Sequence, residues 1–104
     1  MVYMIASFNF DLGRRSLEEA EAHYATVHVP LAKRLPGLRR YVIGTHAETK
    51  RIKPEFHRTA ILAFDSLETL RAAYRSEAGQ ALRKDEDELI GEGRVTLVEG
   101  QEIV

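Results

Sequence analysis

The chain has 104 residues, which is a typical length for one domain, and no repeat or low-complexity stretch divides it. Its apolar fraction of 44% and charged fraction of 30% are typical of a folded globular protein, and the absence of cysteine excludes disulfides, thiolate catalysis and cysteine-ligated metal centres. Fifteen Lys and Arg against sixteen Asp and Glu leave no basic surplus, so neither nucleic acid nor a membrane surface is expected as a partner.

The first third of the chain predicts a strand followed by a one-sided helix. Residues 2–9 are rich in bulky apolar side chains and precede a polar turn, which is typical of a strand. Ser16 with Glu19 three residues later predicts a capping box at a helix N-terminus. From Leu17 onwards the apolar residues form a stripe roughly 100° wide, as in a helix packed on one side. Pro36 and the glycine after it end this helix.

The remainder of the chain predicts three further strands and two helical stretches. The strands cover residues 38–47, 58–64 and 94–99, the segment 48–55 is an exposed loop, and the helical stretches begin at Asp65 or Ser66 and at Gln80. Gly79 interrupts the helical pattern, and Gly91 with Gly93 ends it. The order β-α-β-β-α-β predicts a ferredoxin-like sandwich over residues 1–104, in which two helices cover one face of a four-stranded antiparallel sheet.

The two inner strands of that sheet are apolar on both faces. In the first strand Val2, Met4, Ala6 and Phe8 alternate with Tyr3 and Ile5, and residues 58–64 show the same pattern. Because the helices can cover only one face, the other face would expose an apolar patch, which marks an interface. The sequence therefore predicts a homodimer formed through the sheets. The alternative is a terminal segment folded over this face, although few residues follow the last strand.

His28 is the residue with the clearest chemical potential. It falls within the apolar stripe of the first helix, one turn after Tyr24 and two residues before Pro30. Proline inside a helix removes one backbone hydrogen bond and bends the helix, which opens a gap against the sheet. An imidazole beside such a gap can act as acid, base or hydrogen-bond donor near neutral pH. The alternative is a structural histidine that holds the bend.

Other kinds of site find little support in the sequence. His23 and His28 are five residues apart, which splays them by ~140° on a regular helix, and no carboxylate is an obvious third metal ligand. We therefore expect no metal site. Phosphate-binding loops and nucleophile elbows are also missing. The charged run 84–88 reads as a solvated helix face.

Residues 24–43, YATVHVPLAKRLPGLRRYVI, closely resemble the core motif of the EthD-like family. That motif has a histidine-x-proline-leucine segment, a leucine-proline-glycine-leucine turn and a strand with tyrosine, and residues 64–85 resemble the second helical region of the family. The resemblance implies a ferredoxin-like subunit of a dimeric α/β barrel, with the motif histidine, His28, at a pocket between helix and sheet. The wider superfamily includes monooxygenases, isomerases and haem-handling enzymes.

Two functions remain open at this point. The first is a cofactor-independent enzyme of oxygenase, isomerase or lyase type, acting on a small aromatic or lactone-like molecule in a catabolic or secondary-metabolic pathway. His28 would be its acid or base, and the candidate substrate-binding residues are Tyr24, Leu31, Phe8 and Phe64. The second is a non-catalytic ligand-binding or accessory protein of such a pathway. Haem held by His28 is a third, weaker alternative; we expect no cofactor. Since no signal peptide or membrane span is evident, a cytoplasmic location is expected.

Overall fold

The computed structural model describes all 104 residues and has the predicted order of elements. Its elements are β1 (Val2–Phe10), α1 (Leu17–His23), a π-helical turn (Tyr24–His28), α2 (Val29–Ala32), β2 (Arg40–Thr45), β3 (Arg58–Phe64), α3 (Leu67–Arg75), α4 (Glu77–Leu89) and β4 (Ile90–Glu99). The sheet is antiparallel throughout, in the order β2-β3-β1-β4. The predicted ferredoxin-like sandwich, with helices on one face, is confirmed. None of the helices combines the length and the apolar character needed to span a bilayer.

The first helical segment begins as predicted but changes its winding before Pro30. Ser16 caps α1 in a capping box with Glu19. At the π turn the N–H of Val29 donates to the carbonyl oxygen of Tyr24, five residues back instead of four. A proline ring crowds the carbonyl four residues before it and offers no N–H, so a wider turn just before Pro30 relieves both constraints. The expected bend therefore takes the form of an inserted residue in the helix.

The boundary between the last two helices differs from the prediction. Helix α3 ends at Arg75 and Ser76 caps α4, accepting a hydrogen bond from the N–H of Gly79. Gly79 therefore lies in the first turn of α4 and does not interrupt it. A Cβ at Gly79 would lie 2.4 Å from the carbonyl oxygen of Ala73 and 2.5 Å from the Cα of Tyr74. Glycine is needed here because the two helices approach each other backbone to backbone.

Strand β4 begins four residues earlier than predicted. Gly91 and Gly93 do not form a loop, because the ladder with β1 starts at the pair Ile90–Phe10 and continues through Gly93–Phe8. The N–H of Asp11 also donates to the carbonyl oxygen of Leu89, which ties the helix end to the end of β1. Glycine suits this position, since a Cβ at Gly93 would lie 3.1 Å from the carbonyl oxygen of Ser7.

The sheet has the two apolar faces that its inner strands predict. Val2, Phe8 and Phe10 are buried beneath the helices. The opposite side, here called the outer face, carries Tyr3, Ile5, Val42, Ile61, Thr96 and Val98, which the strand register places side by side. No helix covers it, and Val42 is 57% exposed. The tail after β4 reaches one end of this face, where Gly100 lies against the Tyr3 ring and Glu102 pairs with Arg40 at 2.8 Å.

The contact between α3 and α4 predicts a strong effect of a single methyl group at Gly79. We expect Gly79→Ala to lower the free energy of unfolding by about 1–3 kcal/mol, because backbone atoms must move to admit the Cβ. Gly91→Ala is the control, since its Cβ would meet no atom closer than 3.5 Å. Urea unfolding measures both variants, and equal stabilities would contradict the proposed close approach.

Candidate functional site

A cavity of about 1000 Å³ opens between the helices and the sheet, beside His28. Its floor is the apolar helix-side surface of the two inner strands and β4, with Met4, Ala6, Phe8, Ala60, Leu62 and Leu97. The first helical segment contributes only His28 and Ala32, whereas α3 and α4 supply more of the wall than the sequence predicts. Thirteen of the 23 lining residues are hydrophobic, so the cavity suits an apolar molecule of moderate size.

The His28 imidazole is held by a buried carboxylate that the sequence analysis did not identify. Its Nδ1 lies 2.9 Å from Oδ2 of Asp85, on α4. The other carboxylate oxygen, Oδ1, lies 2.6 Å from Nε2 of His23. Asp85 is only 8% exposed. The prediction that residues 84–88 form a solvated helix face is therefore wrong at Asp85, and it is also wrong at the half-buried Glu86.

The winding of the helix explains why both histidines reach one carboxylate. Five residues would splay His23 and His28 apart on a regular α-helix. The π turn inserts one residue between them, so both side chains project towards α4. The prediction that the side chains of His23 and His28 diverge is therefore wrong. No group of three or more His, Asp or Glu side chains has the arrangement of a metal site.

The hydrogen bond to Asp85 sets the tautomer of His28. A carboxylate can only accept, so Nδ1 carries the proton and donates it, and the neutral ring has a lone pair on Nε2. Nε2 has no hydrogen-bond partner in the protein and is not sealed from solvent, and His28 lines the cavity. Burial lowers the pKa of His28, and the hydrogen bond and charge of Asp85 oppose that effect. The arrangement is therefore that of a neutral base facing an apolar cavity.

The Tyr24 ring packs against one face of the His28 ring. The two rings stack with centroids 5.3 Å apart and planes 18° from parallel. The Tyr24 ring also packs against Phe8 and Phe10, and the Arg58 guanidinium lies 4.9 Å from its centroid. The Tyr24 hydroxyl is buried and makes no hydrogen bond of standard geometry. Burial raises the pKa of Tyr24, so its hydroxyl stays protonated.

The four candidate substrate-binding residues lie at different distances from the cavity surface. Phe8 lines the cavity. Tyr24, Leu31 and Phe64 do not line it: Tyr24 lies behind His28, Phe64 is fully buried in the core, and Leu31 packs half-buried at the edge of that core. Their proposed contact with a ligand stays a prediction.

Glu86 is a second residue that the sequence analysis missed. It lines the cavity, is half-buried, and has neither a hydrogen bond nor an ion pair within the protein. Burial raises the pKa of its carboxyl group, an effect that Arg83 opposes. A signal for this side of α4 was present in the sequence. Leu82, Asp85 and Leu89 repeat at helical spacing, which places the aspartate on the buried stripe.

The Asp85 contact predicts how the His28 ring titrates. We expect its pKa to lie below the ordinary value of about 6.5, and to fall further in Asp85→Asn because the carboxylate favours the charged ring. Titration of the histidine resonances by NMR measures both values. Asp65→Asn is the control. Asp65 is an exposed carboxylate just before α3, so its replacement should leave the His28 pKa unchanged. A higher pKa in Asp85→Asn would contradict the assigned contact.

The same pKa shift predicts a loss of stability in acid. Folded His28 binds its proton more weakly than the unfolded chain does, so its contribution is constant above about pH 6.5 and falls as the pH drops below that value. Each pH unit between the two pKa values costs up to ~1.4 kcal/mol. Urea unfolding at several pH values should show that His28→Gln removes this part of the pH dependence.

One protein-family model matches most of the chain. The family model for the EthD domain matches residues 14–93, which include the π turn, His28 and Asp85. No curated protein sequence gives a significant match.

Solved structures that share the fold over nearly the whole chain include the following three. An EthD family protein from Bacillus halodurans is 24% identical, with a TM-score of 0.85 over 97% of this chain and 99% of its own. SnoaB from Streptomyces nogalater, a cofactor-independent oxygenase, is 16% identical, with a TM-score of 0.69 over 99% and 95%. A dimeric protein with a ferredoxin-like fold from Bacteroides fragilis is 15% identical, with a TM-score of 0.71 over 95% of each chain. At these identities the structures show the fold alone, whereas the domain match identifies the chain as a member of the EthD family.

Proposed function

We propose that this protein is a cofactor-independent enzyme that removes a proton from a small aromatic or lactone-like molecule, with His28 as the base. The observation that carries the proposal is the His28–Asp85 pair at the wall of an apolar cavity. A histidine whose second nitrogen is fixed by a carboxylate is a recurring arrangement for proton transfer. The cofactor-independent oxygenase SnoaB shares the fold and supports this class of reaction.

Each group of the His28–Asp85 pair has a role in the first step of the proposed reaction. Nε2 of His28 takes a proton from an acidic C–H or O–H of the substrate, and the electron pair of the broken bond moves onto the conjugated carbonyl or ring. Asp85 stabilises the imidazolium that forms, because its carboxylate accepts from Nδ1. Oxygenase, isomerase and lyase reactions of such a molecule share this proton removal.

Glu86 is the group in the cavity suited to return a proton. Burial raises its pKa, so its protonated form persists closer to neutral pH than that of an exposed carboxyl group. It could donate to the substrate oxygen that becomes negative when His28 takes the first proton. A pair of groups whose environments shift their pKa values in opposite directions is typical of an acid and a base that work together.

The exposed outer face of the sheet supports a homodimer. This face is apolar and no helix of the same chain covers it. Charged groups are few in its centre, around Ile5 and Ile61, where the register places Val42 and Thr96 beside them. The structurally similar protein from Bacteroides fragilis is described as dimeric. We propose that two copies pair through their outer faces, leaving both cavities open on the helix side.

The first test of the function uses two carbon acids as probes, 2-tetralone and a β,γ-unsaturated γ-lactone. We expect the wild-type protein to speed the exchange of their α-protons into D2O by about 10²-fold or more over buffer, as a positioned base does. NMR follows the exchange. His28→Gln should abolish the acceleration while leaving the binding of 2-tetralone within about threefold, since glutamine keeps a similar volume and polarity.

The control for this test is His46→Gln. His46 directly follows β2 and does not line the cavity. The acceleration should also fall on the acid side as His28 becomes protonated, with a midpoint below about pH 6.5. If wild-type protein binds both probes and exchanges neither, the non-catalytic binding function replaces the enzymatic one.

The second test concerns the outer face. We expect wild-type protein to sediment with the mass of two chains and Val42→Asp to sediment with the mass of one. Val42 is 57% exposed in the single chain, so a charge there is tolerated by the monomer and costs several kcal/mol only when a partner buries it. Leu17→Asp, at an exposed position on α1 away from the outer face, is the control and should remain dimeric. A wild-type monomer at micromolar concentration would contradict the proposed assembly.

A further inference from the structure

Three arginines surround the side of the cavity formed by α3 and α4, and none of them has an acidic partner. Arg71 and Arg75 lie one turn apart on α3, Arg83 lies on α4, and all three line the cavity. No carboxylate approaches any of them within 4.0 Å, whereas five other arginine or lysine side chains of the chain form such pairs. We call these three residues the arginine rim.

The rim has donors directed to no protein acceptor. Nε of Arg75 donates a hydrogen bond to the backbone oxygen of Arg71 at 3.3 Å. This bond orients the guanidinium and leaves its two terminal nitrogens available to a ligand. The guanidinium of Arg83 lies 5.8 Å from the centroid of the Tyr74 ring, between the two helices. Tyr74 also lines the cavity, and burial raises its pKa, so its hydroxyl remains a donor.

The charges around the rim favour an anion over a cation. The lining carboxylates are Glu86 and Asp87, which the three arginines outnumber. Burial raises the pKa of Glu86, which weakens its negative charge further. Arg94 also lines the cavity, but its guanidinium is paired with Glu55 at 3.2 Å and contributes little. An unpaired guanidinium binds a carboxylate through two parallel charge-assisted hydrogen bonds.

We propose that the cavity takes an amphipathic organic acid, with its carboxylate or other anionic oxygens at the arginine rim and its apolar ring system over the floor of the sheet. This deepens the proposed function, on which it rests, by naming the substrate class. The floor beneath the rim is apolar and includes Met4, Leu62 and Leu97, while His28 lies at the wall formed by the first helical segment. One molecule anchored at the rim therefore presents its ring or side chain to Nε2 of His28.

The test compares two probes of the same shape, 2-naphthoate and 2-naphthamide, which differ in charge. We expect wild-type protein to bind 2-naphthoate at least about tenfold more tightly at neutral pH and low salt, measured by NMR titration. In the triple variant Arg71→Gln, Arg75→Gln, Arg83→Gln, the affinities for the two probes should differ by no more than about twofold. The affinity for 2-naphthoate should fall, and that for 2-naphthamide should stay the same. Arg34→Gln is the matched control, since Arg34 is exposed, unpaired and outside the cavity, and it should keep the full preference.

The outcomes separate this inference from the proposed function. Equal binding of the two probes by wild-type protein, or a preference that survives in the triple variant, would overturn the anion site and leave proton transfer by His28 standing. A preference that depends on the rim, together with no exchange of the carbon acids, would support the anion site and overturn the enzymatic function. If neither probe perturbs the resonances of cavity residues, the anion site is overturned, and the exchange of the carbon acids alone decides the enzymatic function.

Discussion

The buried carboxylate of Asp85 is the constraint on which the geometry of the site depends. An ionised group with 8% exposure is stable only when hydrogen-bond donors surround it, since an unpaired buried charge costs several kcal/mol. His23 and His28 are those donors, and both belong to the first helical segment. The carboxylate therefore joins the two helical halves of the sandwich and fixes the imidazole that faces the cavity. One interaction sets packing, ring orientation and tautomer together.

The π turn is the backbone feature that makes this interaction available. With regular winding only one of the two histidines would point to α4, and the carboxylate would keep one oxygen without a partner. The wider turn also stacks the Tyr24 ring on that of His28. The Arg58 guanidinium, which donates two hydrogen bonds to Glu21, lies 4.9 Å from the centroid of the same tyrosine ring. The Asp85 carboxylate thus holds the His28 imidazole at its edge, and the Tyr24 ring packs on its face. Together these contacts limit the rotation of the imidazole away from the cavity.

Much of the fold could be predicted from the sequence because it follows from local rules. The Ser16 cap, the apolar runs of β1 and β3, and the turn residues between the elements each depend on a few adjacent residues. The spacing of Leu82, Asp85 and Leu89 indicates that Asp85 lies on the buried side of α4. The histidines that pair with its carboxylate could not be recognised, because they belong to a distant helical segment. The π turn was also hidden, since a one-residue insertion shifts the helical period without changing composition. The error at Asp85 concerns contacts between segments about 60 residues apart, whereas the π turn is a change of winding within one helical segment.

The apolar character of the cavity shapes its chemistry as well as its choice of ligand. Poor solvation disfavours the charged forms of both ionisable groups in its wall, so it lowers the pKa of His28 and raises that of Glu86. The same surroundings therefore hold the histidine ready to accept a proton and bring the carboxyl group closer to holding one. The arginine rim lies in the more exposed part of the wall, where a guanidinium stays charged at little cost. A ligand with an acidic head and an apolar body would place its head at the arginine rim and its body against the apolar wall. By displacing water it would also strengthen the pKa shifts that prepare His28 and Glu86 for proton transfer.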